Sequence, residues 1–237
     1  MDPKITGRLY GIGVGPGESG LITLKAVEIL RKIKTVFVPR SADEKASLAL
    51  EISRPHLPPG CKVAELLFPM TKDKDDLAKH WDRAAGPVAA AMAAGEDCGF
   101  LTLGDPMLFS TYIYLVRAVR ALAPTAAIES VPGISAAFAA ASKSVLPLAE
   151  GSESIAVITG DRLASLASIA GMFETIIIMK VGKRLPEINA ALRRLGLDRS
   201  AVLAHRVGLA GELICDADAV EDDQLGYLST IIVRTRR

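Results

Sequence analysis

Cysteine, histidine and tryptophan are scarce in these 237 residues, at three, three and one, and aromatic residues make up only 5%. Cys61, Cys98 and Cys215 are scattered and odd in number. None stands at metal-ligand spacing from another, so neither a disulfide framework nor a zinc site is supported. His56, His80 and His205 are equally dispersed, and no metal site made by this chain alone is expected. The net charge is only +1 with both signs interspersed. That leaves no electrostatic footprint for DNA or RNA and no basic tail for a membrane surface. The longest apolar runs, near Thr175–Met179, are far too short to cross a bilayer. The opening MDPKITGRLY holds no apolar signal region. A soluble, cytoplasmic protein with no nucleic-acid or membrane partner is the expectation. No internal repeat or low-complexity segment stands out.

Half the residues are apolar, and the length suits two domains of ordinary size. A strand-like run from Leu9 leads into GIGVGPG, Gly11–Gly17, whose glycine density lets backbone approach a ligand closely. The dinucleotide fingerprint fails here on spacing. Counting from Gly11 and Gly13, its third glycine falls on Pro16; counting from Gly13 and Gly15, it falls on Glu18. The second strand ends in Pro39-Arg40, with no acid to hold a ribose. No Gly-Lys-Ser/Thr follows the glycines, which excludes a Walker A loop. An oxidoreductase with a dinucleotide domain therefore lacks both of its defining features.

The chain is organised around Gly99–Tyr112, GFLTLGDPMLFSTY. A buried-type strand, Phe100–Leu103, stops at Gly104-Asp105-Pro106, and a helical pattern resumes through Leu108, Ile113, Leu115, Val116 and Val119. Pro106 holds Asp105 away from the helical region, so one carboxylate is presented on a turn at the carboxyl edge of a sheet. Ligands bind at that edge in open α/β sheets.

Elsewhere the spacing predicts strands at Thr35–Val38, Lys62–Leu67, Ala126–Val131, Ile155–Thr159, Thr175–Met179 and Ala201–His205. Leu213–Cys215 and Leu228–Val233 are read as an antiparallel addition. Helices are expected over Leu21–Ile33, with Glu18 and Ser19 near the start, and over Ser47–Ile52. Three more are expected in the stretch around Leu77–Met92 with Trp81 as core anchor, over Leu163–Met172, and from Lys180–Arg184 to Gly196. Leu148–Ser154 reads as the passage into the second domain. The helix after Pro132-Gly133-Ile134-Ser135 begins with a thin turn of small residues. That thinness has two readings, close helix packing or room for a ligand at free N–H groups.

With GIGVGPG, TLGDPMLFST, VPGISA and TIIIMKVG in this order, essentially the whole chain resembles the tetrapyrrole (corrin/porphyrin) methylase family. The resemblance implies two α/β domains, residues 1–131 and 132–237, of the class III methyltransferase type and not Rossmann. It implies a cleft between them for S-adenosylmethionine as methyl donor. It runs most closely to members that methylate precorrin-2, or its cobalt-bearing form, at carbon 20. That closeness lies in FPMTKD with the later Trp81, in Ser110-Thr111-Tyr112, and in Pro147-Leu148-Ala149. The nearest alternative is a sibling transferase acting at another ring carbon or on a protein. A cofactor-binding module without turnover is a further one. The first loop departs from the usual GPGDP by reading Gly15-Pro16-Gly17-Glu18-Ser19, and Phe109 stands where Tyr is common.

By the same resemblance, cofactor contacts fall on Pro16, Gly104, Asp105, Pro106, Met107, Leu108, Ser110, Thr111, Ser135 and Ala136. They continue at Met179–Val181, with Lys180 and Val181, then at Arg206, Val207, Gly208 and Thr230. The partner is a tetrapyrrole polycarboxylate, with Lys72, Lys74, Lys180, Lys183, Arg184 and Arg206 as candidate contacts, and a homodimer is implied. Methylation of a meso carbon requires loss of its proton. Glu18, Tyr112, His205 and bulk water all remain open as the acceptor.

Overall fold

The computed structural model describes residues 7–40, 47–68, 73–220 and 225–236, without the side chains of 74–76. Pro69–Lys72, at the centre of the subgroup resemblance, lie outside the described residues, as does the side chain of Lys74. The chain divides into two compact units, Met1–Ser135 and Ala136–Arg237.

The first unit holds five strands: β1 Arg8–Gly13, β2 Thr35–Arg40, β3 Lys62–Leu67, β4 Cys98–Thr102 and β5 Ala127–Val131. All pair in parallel in the order β3-β2-β4-β1-β5. A parallel sheet covered on both faces needs continuous apolar strands, and β4, CGFLT, is buried at every position. The helices are α1 Leu24–Leu30, α2 Leu48–Ser53, α3 Lys74–Ala93 and α4 Tyr112–Leu122. Leu9, Phe37, Met92, Phe100, Leu115 and Val119 form the core. Each such side chain contributes about 1.5–3 kcal/mol on burial.

Two expectations are corrected here. Helix α1 begins at Leu24, where the Thr23 hydroxyl accepts from the Ala26 N–H at 3.3 Å. Glu18 and Ser19 belong to a separate turn before it. Trp81 is half-buried and packs against the core from outside, stacked on the exposed Tyr114 at 4.4 Å between ring centroids. The indole thus joins α3 to α4 at the rim of the core, while Ala84, Ala85 and Val88 of α3 lie within it.

The second unit opens with α5 Ala136–Lys143 and holds β6 Ile155–Thr159, α6 Leu166–Ala170, β7 Thr175–Met179, α7 Leu185–Arg194, β8 Ala201–His205, β9 Leu213–Asp216 and β10 Ser229–Arg234. The sheet order is β6-β7-β10-β8-β9, with β6 and β7 parallel and the remaining pairs antiparallel. Leu185, Ile188, Ala191 and Leu192, at helical spacing, bury one face of α7 against Ile176, Ile178, Leu203 and Ile231. The other sheet face is covered by α5, whose Ala139, Ala140 and Ala141 meet Ala204, Val207 and Ile232. Small residues along α5 therefore serve close packing. The helix expected over Leu163–Met172 is short, because a 3-10 turn over Gly160–Ser165 takes up its start.

Candidate functional site

In the first unit the chain leaves β1 toward β2 on one side and leaves β4 toward β5 on the other, although β1 and β4 are neighbours. Adjacent parallel strands whose connections part in this way open a crevice beyond their carboxyl ends. The glycine loop and the Gly-Asp-Pro corner lie at that point. Val14 N–H donates to the Thr102 carbonyl at 3.0 Å, and Gly15 and Gly104 exchange backbone hydrogen bonds at 3.3 and 2.7 Å. The turn after β5 closes onto both. A Cβ on Gly133 would sit 2.2 Å from the Gly104 carbonyl oxygen, and one on Gly13 would sit 2.7 Å from the Gly133 nitrogen. Three loops thus meet backbone to backbone, a packing that only glycine admits.

The Asp105 carboxylate ties this edge together. Its Oδ1 accepts from the Met107 N–H at 2.8 Å, an Asx turn over Pro106, and its Oδ2 accepts from the Gly133 N–H at 3.1 Å. No local pattern marks this scaffolding carboxylate, because the second loop it bridges to, at Gly133, lies 28 residues away. Ser110 is committed as well. Its hydroxyl pairs with Thr102 Oγ1 at 2.8 Å and accepts from the Tyr112 N–H at 3.1 Å, and the residue is buried. Pro16 is buried, whereas Met107 is 60% and Phe109 38% exposed, with Phe109 held at φ 51°. Ile134 adds a third exposed apolar side chain after β5. Ser135 is only 6% exposed, and its hydroxyl has no hydrogen-bond partner. A buried donor left unmade costs about 1–3 kcal/mol, so this orphan marks a place where a polar ligand fits.

In the second unit the strand ends Thr159, Met179 and His205 and the start of β10 line up at one edge. Lys180 at φ 56° and Arg206 at φ 50° take left-handed corners directly after β7 and β8. Such conformations cost of order 1–3 kcal/mol in non-glycine residues and cluster at ligand sites. Val181 N–H bonds to the Ser229 carbonyl at 3.2 Å, and Arg206 N–H to that of Leu228 at 2.9 Å. The Arg206 guanidinium folds back so that Nε donates to the Ala210 carbonyl at 2.7 Å. Glu212 accepts from the Gly208 N–H and pairs with Lys143 at 2.8 Å, and these hydrogen bonds hold its carboxyl below the ordinary range. Lys180 Nζ lies 5.3 Å from the Tyr227 ring centroid. Val207 and Thr230 are buried; Ala136 is the first residue of α5.

Within the first unit the fold therefore brings together Pro16, Gly104–Leu108, Ser110, Thr111 and Ser135. Within the second it brings together Lys180, Val181, Arg206, Val207, Gly208 and Thr230. Of the open proton acceptors, Tyr112 is excluded. It is wholly buried beneath Gly11, its hydroxyl donates to the Glu129 carbonyl at 3.4 Å, and burial pushes it above the ordinary phenol range. Among the basic candidates, Arg184 is engaged by Glu187 at 2.9 Å and Asp161 at 3.0 Å, while Lys183 is exposed. No group of three or more metal-ligating side chains occurs among the described residues.

The family model for Tetrapyrrole (Corrin/Porphyrin) Methylases matches residues 8–220. The chain is 34% identical to a cobalt-precorrin-2 C(20)-methyltransferase of Salmonella typhimurium, over 97% of each chain. It is 32% identical to a precorrin-2 C(20)-methyltransferase of a Sinorhizobium species, over 96% of this chain and 95% of that one. The solved structure of a cobalt precorrin-4 methyltransferase shares the fold with a TM-score of 0.72 at 20% identity, over 96% of this chain and 94% of its own.

Proposed function

This chain belongs to the tetrapyrrole (corrin/porphyrin) methylases, and from that premise we propose that it methylates precorrin-2, or its cobalt-bearing form, at carbon 20 in cobalamin biosynthesis. S-adenosylmethionine is the donor in this reading. The observation that carries it is the near-full-length identity to two relatives named for that reaction. The geometry supports it: a buried, unpartnered Ser135 hydroxyl suits a polar cofactor, and exposed Met107, Phe109 and Ile134 suit the flat face of a macrocycle.

Bound S-adenosylmethionine supplies a methyl already activated on a sulfonium, and the electron-rich meso carbon attacks it in line. The work left to the chain is binding, orientation and exclusion of water. Asp105 does this indirectly, by fixing the Met107 and Gly133 amides and with them the shape of the corner. Backbone from Gly104 to Leu108, the Thr111 and Ser135 hydroxyls, and the Lys180–Val181 and Arg206–Gly208 corners are the proposed cofactor contacts, with Pro16, Ala136 and Thr230 beside them. Ser110 contributes by holding β4 to the start of α4. The cationic groups of Lys180, Lys183 and Arg206 meet substrate carboxylates in this reading. The family likeness also carries a homodimer in the cytoplasm, which sedimentation and fractionation test; among the described residues no helix is long and apolar enough to cross a membrane.

Calorimetry with S-adenosylhomocysteine and NAD, followed by mass spectrometry of metal-free and cobalt-loaded precorrin-2 after reaction, tests the proposal. Binding of the first ligand alone and a gain of one methyl are expected. NAD binding without a response to S-adenosylhomocysteine contradicts it.

A further inference from the structure

His205 ends β8 at the edge that carries the Lys180 and Arg206 corners. Its Nδ1 lies 2.8 Å from Ser229 Oγ. The Ser229 hydroxyl has a single proton, and it is donated to the Gly226 carbonyl at 3.0 Å. The contact with His205 must therefore run the other way, with Nδ1–H donating to the serine oxygen. A neutral imidazole protonated at Nδ1 keeps its lone pair on Nε2. Among the described residues nothing pairs with Nε2, and it is not among the buried polar atoms left without a partner, so it opens to solvent. Burial, and after it the charge of Arg206, lowers the ring's affinity for a second proton. Leu213, opposite on β9, brings no charge, and the Arg206 side chain is turned to Ala210. The ring is thus neutral, fixed in one tautomer, and presents an acceptor beside a strained corner.

We propose that His205 Nε2 accepts a hydrogen bond from an amine or hydroxyl donor of bound S-adenosylmethionine, with Ser229 setting the tautomer. This rests on the reading above that the cofactor lies at this edge. A hydroxyl or amide side chain can reorient to donate or accept; an Nδ1-locked imidazole can only accept at Nε2, so it selects a donor and rejects a carbonyl at that place.

Long-range proton–nitrogen correlation of the imidazoles tests it, and with three histidines the His205→Gln spectrum assigns the signal. In the free protein Nδ1 is expected to be protonated and Nε2 not; saturation with S-adenosylhomocysteine is expected to move Nε2 and leave Nδ1. His205→Leu is expected to weaken S-adenosylhomocysteine about tenfold, the loss of one hydrogen bond, with His205→Gln restoring most of it. Ser229→Ala is expected to mix the tautomers in the spectrum. S-inosylhomocysteine, which lacks the adenine amine, distinguishes the donors: equal affinity for the Leu variant and wild type with this ligand alone assigns the contact to that amine, and a retained difference assigns it to another donor of the cofactor. Binding with an unmoved Nε2, or turnover lost in His205→Leu at unchanged affinity, overturns the inference alone. No binding of S-adenosylhomocysteine by the wild type overturns the functional reading and this inference with it.

Discussion

The two sheet edges differ in what shapes them. The edge of the first unit is built from glycines that let three backbones touch, with one carboxylate, Asp105, stitching the loops together. The edge of the second unit is built from side-chain residues forced into left-handed corners, Lys180 and Arg206, and propped by Glu212 on Gly208. At Gly13 and Gly133 the first tolerates no added atom. The second has room but carries strain. Close approach of backbone is paid for by glycine's extra conformational freedom in the unfolded chain, whereas strain at a non-glycine corner is held by the packing around it.

The largest effect should come from adding one carbon to the first edge. Gly133→Ala places Cβ against the Gly104 carbonyl and the Gly13 backbone, neither of which can swing away. A loss of about 3 kcal/mol or more is expected, on the order of 10 °C in the melting temperature. Gly182→Ala, at φ 51° with open space around it, should cost only about 1–2 kcal/mol. Equal losses would erase the contrast between the edges.

Next comes Asp105→Asn. The amide turns one of its two acceptors into a donor facing a backbone N–H, which costs about 1–3 kcal/mol. S-adenosylhomocysteine affinity, measured by calorimetry on the folded variant, should fall at least tenfold; unchanged affinity would mean that the corner holds its shape without the carboxylate.

A smaller effect concerns the prop at the second edge. The Glu212 carboxyl is lowered by its hydrogen bonds to Lys143 and Gly208, so its contribution is complete above the ordinary glutamate value of 4.5 and is lost as pH falls through its lower folded value. The Gly208 amide shift should titrate with a midpoint below 4.5, and Glu212→Gln should abolish that titration. A midpoint at or above 4.5 contradicts the pairing.

The smallest effect is a gain. Val145 is β-branched, 89% exposed and held at φ 51°. Val145→Gly removes the left-handed cost and adds back part of it as unfolded-state freedom, for a net gain of about 0.5–1 kcal/mol and a melting temperature raised by roughly 2 °C.

The same contrast explains what the sequence made legible. The loop GIGVGPG and the Gly-Asp-Pro corner are legible because glycine and proline report backbone conformation by residue type, and the apolar runs of β6, β7 and β8 give those strands to the residue. The α/β class and the family followed from those motifs together. The left-handed turns at Lys180 and Arg206 were invisible, since neither residue type prefers that conformation. The bond from Asp105 to Gly133 joins residues 28 apart and is set by tertiary packing alone. Tyr112 looked available as an acid or base in sequence. Its burial follows from Gly11, whose missing side chain admits the ring. Trp81 was read as a core anchor because helical spacing shows which face turns inward, but not how deep a side chain on that face lies.

The most direct test of the proposed reaction is carbon-13 NMR of the tetrapyrrole product after incubation with S-adenosylmethionine labelled in its methyl group. One labelled methyl at carbon 20 is the expected result, on the metal-free or the cobalt-bearing substrate. A labelled methyl at carbon 11 or 17, or on a protein acceptor, would contradict the assignment to carbon 20 and leave only membership of the family.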